Sequence, residues 1–88
     1  MKSHLLENTA QRAIAYLDGL ATRPVAAQPE AIRALDAFDE PLPAGPSAPE
    51  AVLDLLDRIG SPATMAMAGP RFFGFVIGGA LPAALAAN

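Results

Sequence analysis

Few side chains in this sequence could do chemistry, and their surroundings decide which chemistry is open to them. Lys2 is the only lysine and His4 the only histidine, both close to the N-terminus. A lysine becomes a nucleophile when its ammonium pKa is lowered, and a histidine works as a base when a second group orients it. Neither condition is visible around Lys2 or His4, so a solvated, structureless role outweighs a catalytic one for both. Asp54 and Asp57 lie three apart on a helical pattern, which suggests a carboxylate pair. No histidine accompanies them to complete a metal site, and a solvated helix face is the stronger reading. Asp36, Asp39 and Glu40 read the same way. The chain has no cysteine, which removes disulfides and thiolate metal sites. No catalytic dyad and no metal cluster is visible.

The most unusual stretch is Gly69 to Asn88, G-P-R-F-F-G-F-V-I-G-G-A-L-P-A-A-L-A-A-N. It carries three of the four phenylalanines, four of the seven glycines and no charge after Arg71. Core packing is the plain reading of these aromatics, and the lining of a pocket is the sharper one. Gly78-Gly79 either make a turn with positive φ or let a ligand approach the backbone closely. A phosphate-cradling loop fits less well, because the lysine and hydroxyl of such a loop are missing.

The elements that would position these residues are small. A chain of 88 residues supports one domain at most. Hydrophobic residues make up 52% of it, but many are alanines, which bury little area, so the core is expected to be thin. The net charge is −3, and Arg12, Arg23, Arg33, Arg58 and Arg71 are scattered. No basic stripe exists to follow a phosphate backbone, so nucleic acid is not an expected partner. The first residues lack the uninterrupted apolar region of a signal peptide, and a cytoplasmic location is expected.

Ser3 is placed to cap a first helix with apolar positions Leu6, Ala10, Ala13, Ile14, Leu17 and Ala21, ending near Thr22 ahead of Pro24. Pro29 and Glu30 start a second, over roughly ten residues, with Ile32, Leu35 and Phe38 on its apolar stripe. Asp39 to Pro49 reads as a stiff, proline-rich linker. Ser47 and Glu50 have the spacing of a capping box for a third helix, whose apolar face is Val52, Leu55, Leu56 and Ile59, whose wet face is Asp54, Asp57 and Arg58, and whose left-handed cap is Gly60. Ala63 to Ala68 is either one helical turn or an irregular packed segment. Phe72 to Val76 is either a short buried strand or an extended loop. Pro82 suits the first turn of a fourth helix, Leu81 to Asn88. That helix has neither a glycine cap nor a basic last turn, from which a longer parent protein is expected.

Pro70 to Asn88, preceded by a three-helix region with Arg23-Pro24-Val25 between its first two helices, resembles the N-terminal part of the pyridoxal-phosphate-dependent group II decarboxylases. These are the relatives of aromatic-amino-acid, histidine and glutamate decarboxylases. The resemblance extends over the whole chain, but only Pro70 to Asn88 is specific. It implies a mainly α segment of a fold-type I enzyme that is α/β when complete. Residues 1–60 would be a helical dimerisation segment and residues 61–88 a substrate-loop motif with the start of the next helix. It further implies a homodimer with an amino-acid substrate, and pyridoxal phosphate bound to a lysine far downstream, so that the 88 residues are inactive alone. Pro70, Phe72 and Phe73 match the structural part of the family's H-P-x-F-F motif. Phe75, Val76, Ile77, Gly78 and Gly79 fall on the loop that faces substrate. Gly69 stands where the motif has histidine, and Gly78-Gly79 supply no hydroxyl where some members have one, which leaves backbone N–H groups as donors.

Two readings from another class compete. Phe72 to Ala87 is uncharged, and Gly74 to Gly78 has the small-residue spacing of membrane-helix dimers. The run is short of the roughly twenty residues that span a bilayer and is interrupted by Gly78, Gly79 and Pro82, so no membrane partner is expected. A small helical interaction module, with helices one and three on an unrelated partner, is the other.

Overall fold

The computed structural model describes residues 3–75, 79 and 81–87. It is mainly helical, 59% helix with no strand among the described residues. The mainly α expectation holds, and the described part of the aromatic segment is loop and not strand. Helix α1 spans Ser3–Gly19. It begins at Ser3 itself, so the cap position lies outside the described residues. It ends three residues earlier than the sequence predicts. The amides of Thr22 and Arg23 both donate to the Gly19 carbonyl, at 3.2 and 2.9 Å, and the Thr22 hydroxyl joins them at 3.4 Å. Glycine is a poor helix former, and a carbonyl closed off by a turn cannot propagate the helix.

Helices α2, Pro29–Ala34, α3, Pro49–Leu55, and α4, Pro82–Ala87, each begin on a proline. Proline has φ already set for a helix, and its missing N–H would have no partner at that position. A 3-10 turn, Leu35–Phe38, continues α2. Every residue from 39 to 50 is exposed, as suits a linker. Proline at the first position makes Ala48 the cap residue of α3, with no side-chain cap hydrogen bond. The expected capping box at Ser47 is therefore not formed, because Ser47 sits one position too early.

Nor does α3 stop at Gly60. It widens into a π turn, Leu56–Gly60, and tightens into a 3-10 turn, Ser61–Ala63. Gly60 has φ −75° and ψ −46°, right-handed and not the left-handed cap expected. Proline inside a helix crowds the carbonyl four residues back, here that of Arg58, and the widened turn makes room for Pro62. The run closes at Thr64, whose amide and hydroxyl both donate to the Ser61 carbonyl, at 3.0 and 2.7 Å.

Among the described residues the buried hydrophobic ones are Leu20, Ala66 and Phe72, a core as thin there as expected. Gly69 is buried among them. Its missing side chain would touch Leu20 Cβ at 3.7 Å and the Ala66 carbonyl at 3.4 Å. The Ala66 amide donates to the Val25 carbonyl at 3.0 Å, so the 63–68 segment is irregular and packed against the connection after α1. The radius of gyration is 15.0 Å, against about 12 Å for a compact chain of this length. Much apolar surface is left outside.

Candidate functional site

The helices meet through their charged faces. Arg12 of α1 donates from Nη1 to Asp57 at 2.8 Å, from Nη2 to Asp54 at 3.2 Å, and from Nε to Asn8 at 2.8 Å. Arg58 adds a longer contact to Asp54 at 3.4 Å. Hydrogen bonds from Arg12 first and then Arg58 hold the Asp54 carboxyl below its ordinary value, and those to Asp57 first and then Asp54 raise that of the Arg12 guanidinium. At the start of the helix, His4 Nε2 lies 2.9 Å from Glu50 Oε1. His4, Asp54 and Asp57 stay well exposed, at 68%, 48% and 39% of their side chains, as the solvated reading expects, but they are not without structure: all three also tie α1 to the α3 run. Asp36, Asp39 and Glu40 are exposed, as expected.

The apolar faces pay for this arrangement in exposure. Leu6 and Ile14 on α1 are 64% and 51% exposed, and Val52 and Leu56 on the α3 run are 55% and 60% exposed. A groove of about 830 Å³ is lined by apolar residues that include Ala13, Tyr16, Leu17, Leu53, Leu56 and Leu85. A smaller hollow of about 420 Å³ is lined by Arg23, Pro24, Gln28, Glu30 and Pro62 among others.

The aromatic loop is held differently. Phe72 is buried, and its ring folds back over Gly74, where an added Cβ would lie 2.8 Å from the ring. Phe73 is 93% exposed and Phe75 is 85% exposed. Phe75 has φ 56°, the only non-glycine residue described in the left-handed region. The turn expected at Gly78-Gly79 rests on Gly78, which lies outside the described residues.

Of the residues assigned to a substrate loop, Phe75 and Gly79 are described and both exposed, while Val76, Ile77 and Gly78 lie outside the described residues. Neither hollow is lined by Phe72, Phe73 or Phe75. Of the motif positions, Phe72 packs inward, while Pro70 and Phe73 face outward.

Three arginines that looked merely scattered do most of the joining. Beside Arg12, Arg23 stacks 4.9 Å from the Tyr16 ring centroid and donates to the Ser61 hydroxyl at 3.2 Å and to the Ser61 carbonyl. Arg71 donates to the Leu20 carbonyl at 3.0 Å and to the Arg23 carbonyl. Asn8 with Arg12, four apart, and Tyr16 with Arg23, seven apart, are near neighbours in the chain, whereas the other partners are far away in it.

Among the described residues no group of three or more metal-ligating side chains forms, and no helix is long and apolar enough to cross a membrane. The residues present do not fit pyridoxal phosphate. The described residues include no lysine to link to it, and Arg12, Arg23 and Arg71 are already engaged with Asp54, Asp57, Ser61 and backbone carbonyls. Comparison with known proteins finds no family model, no curated sequence and no solved structure that matches this chain.

Proposed function

We propose that this chain is the N-terminal helical arm of a pyridoxal-phosphate-dependent amino-acid decarboxylase in the cytoplasm. In this reading residues 1–60 supply contacts to the second subunit of a homodimer, and residues 61–88 supply a wall of the substrate pocket. Cofactor, its lysine and the carbon–carbon bond cleavage belong to the rest of the complete protein. The arm itself catalyses nothing.

The observation that carries this reading is the inversion of α1 and α3. Their charged faces are consumed by each other, and Leu6, Ile14, Val52 and Leu56 are left to solvent. Apolar faces of this kind are buried in an assembly, where the hydrophobic gain is about 25 cal/mol per Å² removed from water. The likeness of Pro70 to Asn88 to the group II decarboxylases names the assembly. Exposed Phe73 and Phe75 fit a loop completed by surfaces outside the chain.

The test begins with the coding sequence beyond the codon for Asn88. The reading requires an open frame that continues into a cofactor-binding domain, and amino-acid-dependent release of carbon dioxide by the complete dimeric protein. A stop codon directly after Asn88 would sink it. The second reading, a small helical interaction segment, uses the same apolar faces on an unrelated protein, and would then take precedence.

A further inference from the structure

We propose that Arg71 is the positioning residue of the aromatic loop, fixing where Phe73 and Phe75 stand by clasping the turn that ends α1. Phe75 holds a left-handed backbone at φ 56°, a region that disfavours bulky residues and persists where neighbouring structure over-determines it. Its own side chain cannot supply that restraint, because it is exposed. The restraint comes from upstream. Arg71, four residues earlier, donates from one nitrogen, Nη2, to both the Leu20 and the Arg23 carbonyls, and the Phe72 ring is buried against Gly74. A guanidinium suits this task because its reach is long and its charge strengthens each bond.

Arg23 completes the device from the other side. Its carbonyl accepts from Arg71, while its guanidinium reaches Ser61 and stacks on Tyr16. The end of α1, the end of the α3 run and the aromatic loop are therefore one body. A shift of α1 on its partner carries the loop with it. The substrate arm of the test below rests on the proposed decarboxylase function, whereas the positioning itself does not.

The test compares Arg71→Met and Arg71→Lys in the complete protein by hydrogen exchange and steady-state kinetics. In Arg71→Met the Gly69 and Phe72 amides, which donate to Ala66 and Gly69 carbonyls, should exchange about tenfold faster, as expected for losing a charge-assisted bond at a partly exposed site. Exchange within α1 should not change. KM for the amino acid should rise about tenfold with kcat altered less than about twofold. Arg71→Lys keeps the charge and a nitrogen with more than one N–H, on a shorter side chain, and should recover part of both effects. Unchanged exchange at Gly69 and Phe72, or lost protection throughout α1, would overturn the positioning role. Faster exchange with an unchanged KM would uphold that role and instead overturn the loop's place in a substrate pocket.

Discussion

The two ends of α1 are attached in opposite ways. Over its first ten residues, through His4 and Arg12, it meets Glu50, Asp54 and Asp57, and the contact is polar and partly exposed. Just past its other end, Leu20 is buried with Ala66 and Phe72, and Arg23 and Arg71 close the edges onto carbonyls. Exposed ion pairs contribute little and are screened by salt, whereas burial of even one aromatic side chain contributes a few kcal/mol. The comparison teaches which end is fixed. The end near the aromatic loop is anchored, and the start of the helix is free to settle against whatever covers its apolar face.

The sharpest way to break this comparison is to empty the buried end. Phe72→Ala should lower the local opening free energy at the Ala66 and Gly69 amides by about 3 kcal/mol, the size of a core aromatic truncation. Ile14→Ala, on the exposed face of α1, should change it by less than about 0.5 kcal/mol. Equal effects from the two would show that the ends are not distinct. A smaller loss, about 1 to 2 kcal/mol, is expected for Gly74→Ala, whose new methyl group would overlap the Phe72 ring. Gly69→Ala should be milder, because its added Cβ meets only ordinary contacts.

Lysines at Leu6 and Ile14 address the other end. The double variant Leu6→Lys, Ile14→Lys should weaken self-association of the complete protein about a hundredfold in sedimentation while leaving exchange at Ala66 unchanged. Retention of the dimer would place its interface elsewhere. For the 88 residues alone, the same exposed faces predict concentration-dependent aggregation in light scattering. A soluble monomer with a cooperative thermal transition would contradict it.

The smallest effect belongs to pH and salt at the charged junction. Asp54 is held below its ordinary value of 3.8, so folding favours its charged form. Its contribution is complete at pH values above that ordinary value and fades as pH falls through it toward the folded-state value. The distance between labels at Ser3 and Ala51 should therefore widen in strong acid, and also in molar salt, where the Debye length is only about 3 Å. An unchanged distance in both would mean that charge does not hold the junction.

What was legible in the sequence was local. Pro29 and Pro82 mark helix starts correctly, and the proline-rich linker is where its composition puts it, whereas α3 takes Ala48 as its cap where Ser47 was expected. The charged junction was not legible, because Arg12 finds Asp54 and Asp57 more than forty residues away, and no local pattern carries that information. Gly60 misled for a related reason. A glycine after an apolar stripe normally closes a helix, but here the next two residues, Ser61 and Pro62, continue the run in a tighter form. Of the site, nothing in the letters distinguished the buried Phe72 from the exposed Phe73 beside it, since the choice is made in three dimensions, where the Phe72 ring folds over Gly74.

The π turn at Leu56–Gly60 bears on how this chain tolerates changes in length. A π turn holds one residue more than the α-helix it interrupts, and each residue of an α-helix turns the chain by about 100°. Removing a single residue from Leu56–Gly60 would return this stretch to α bonding with little rotation downstream, because the wider turn has already absorbed the extra residue, and Ser61 would still face Arg23. Removing one from Pro49–Leu55, where there is no such slack, would swing everything after it by about 100° and carry Asp57 and Ser61 off Arg12 and Arg23. Tolerance to a lost residue in this run is therefore confined to its π turn, much as it is to the proline-rich linker before it.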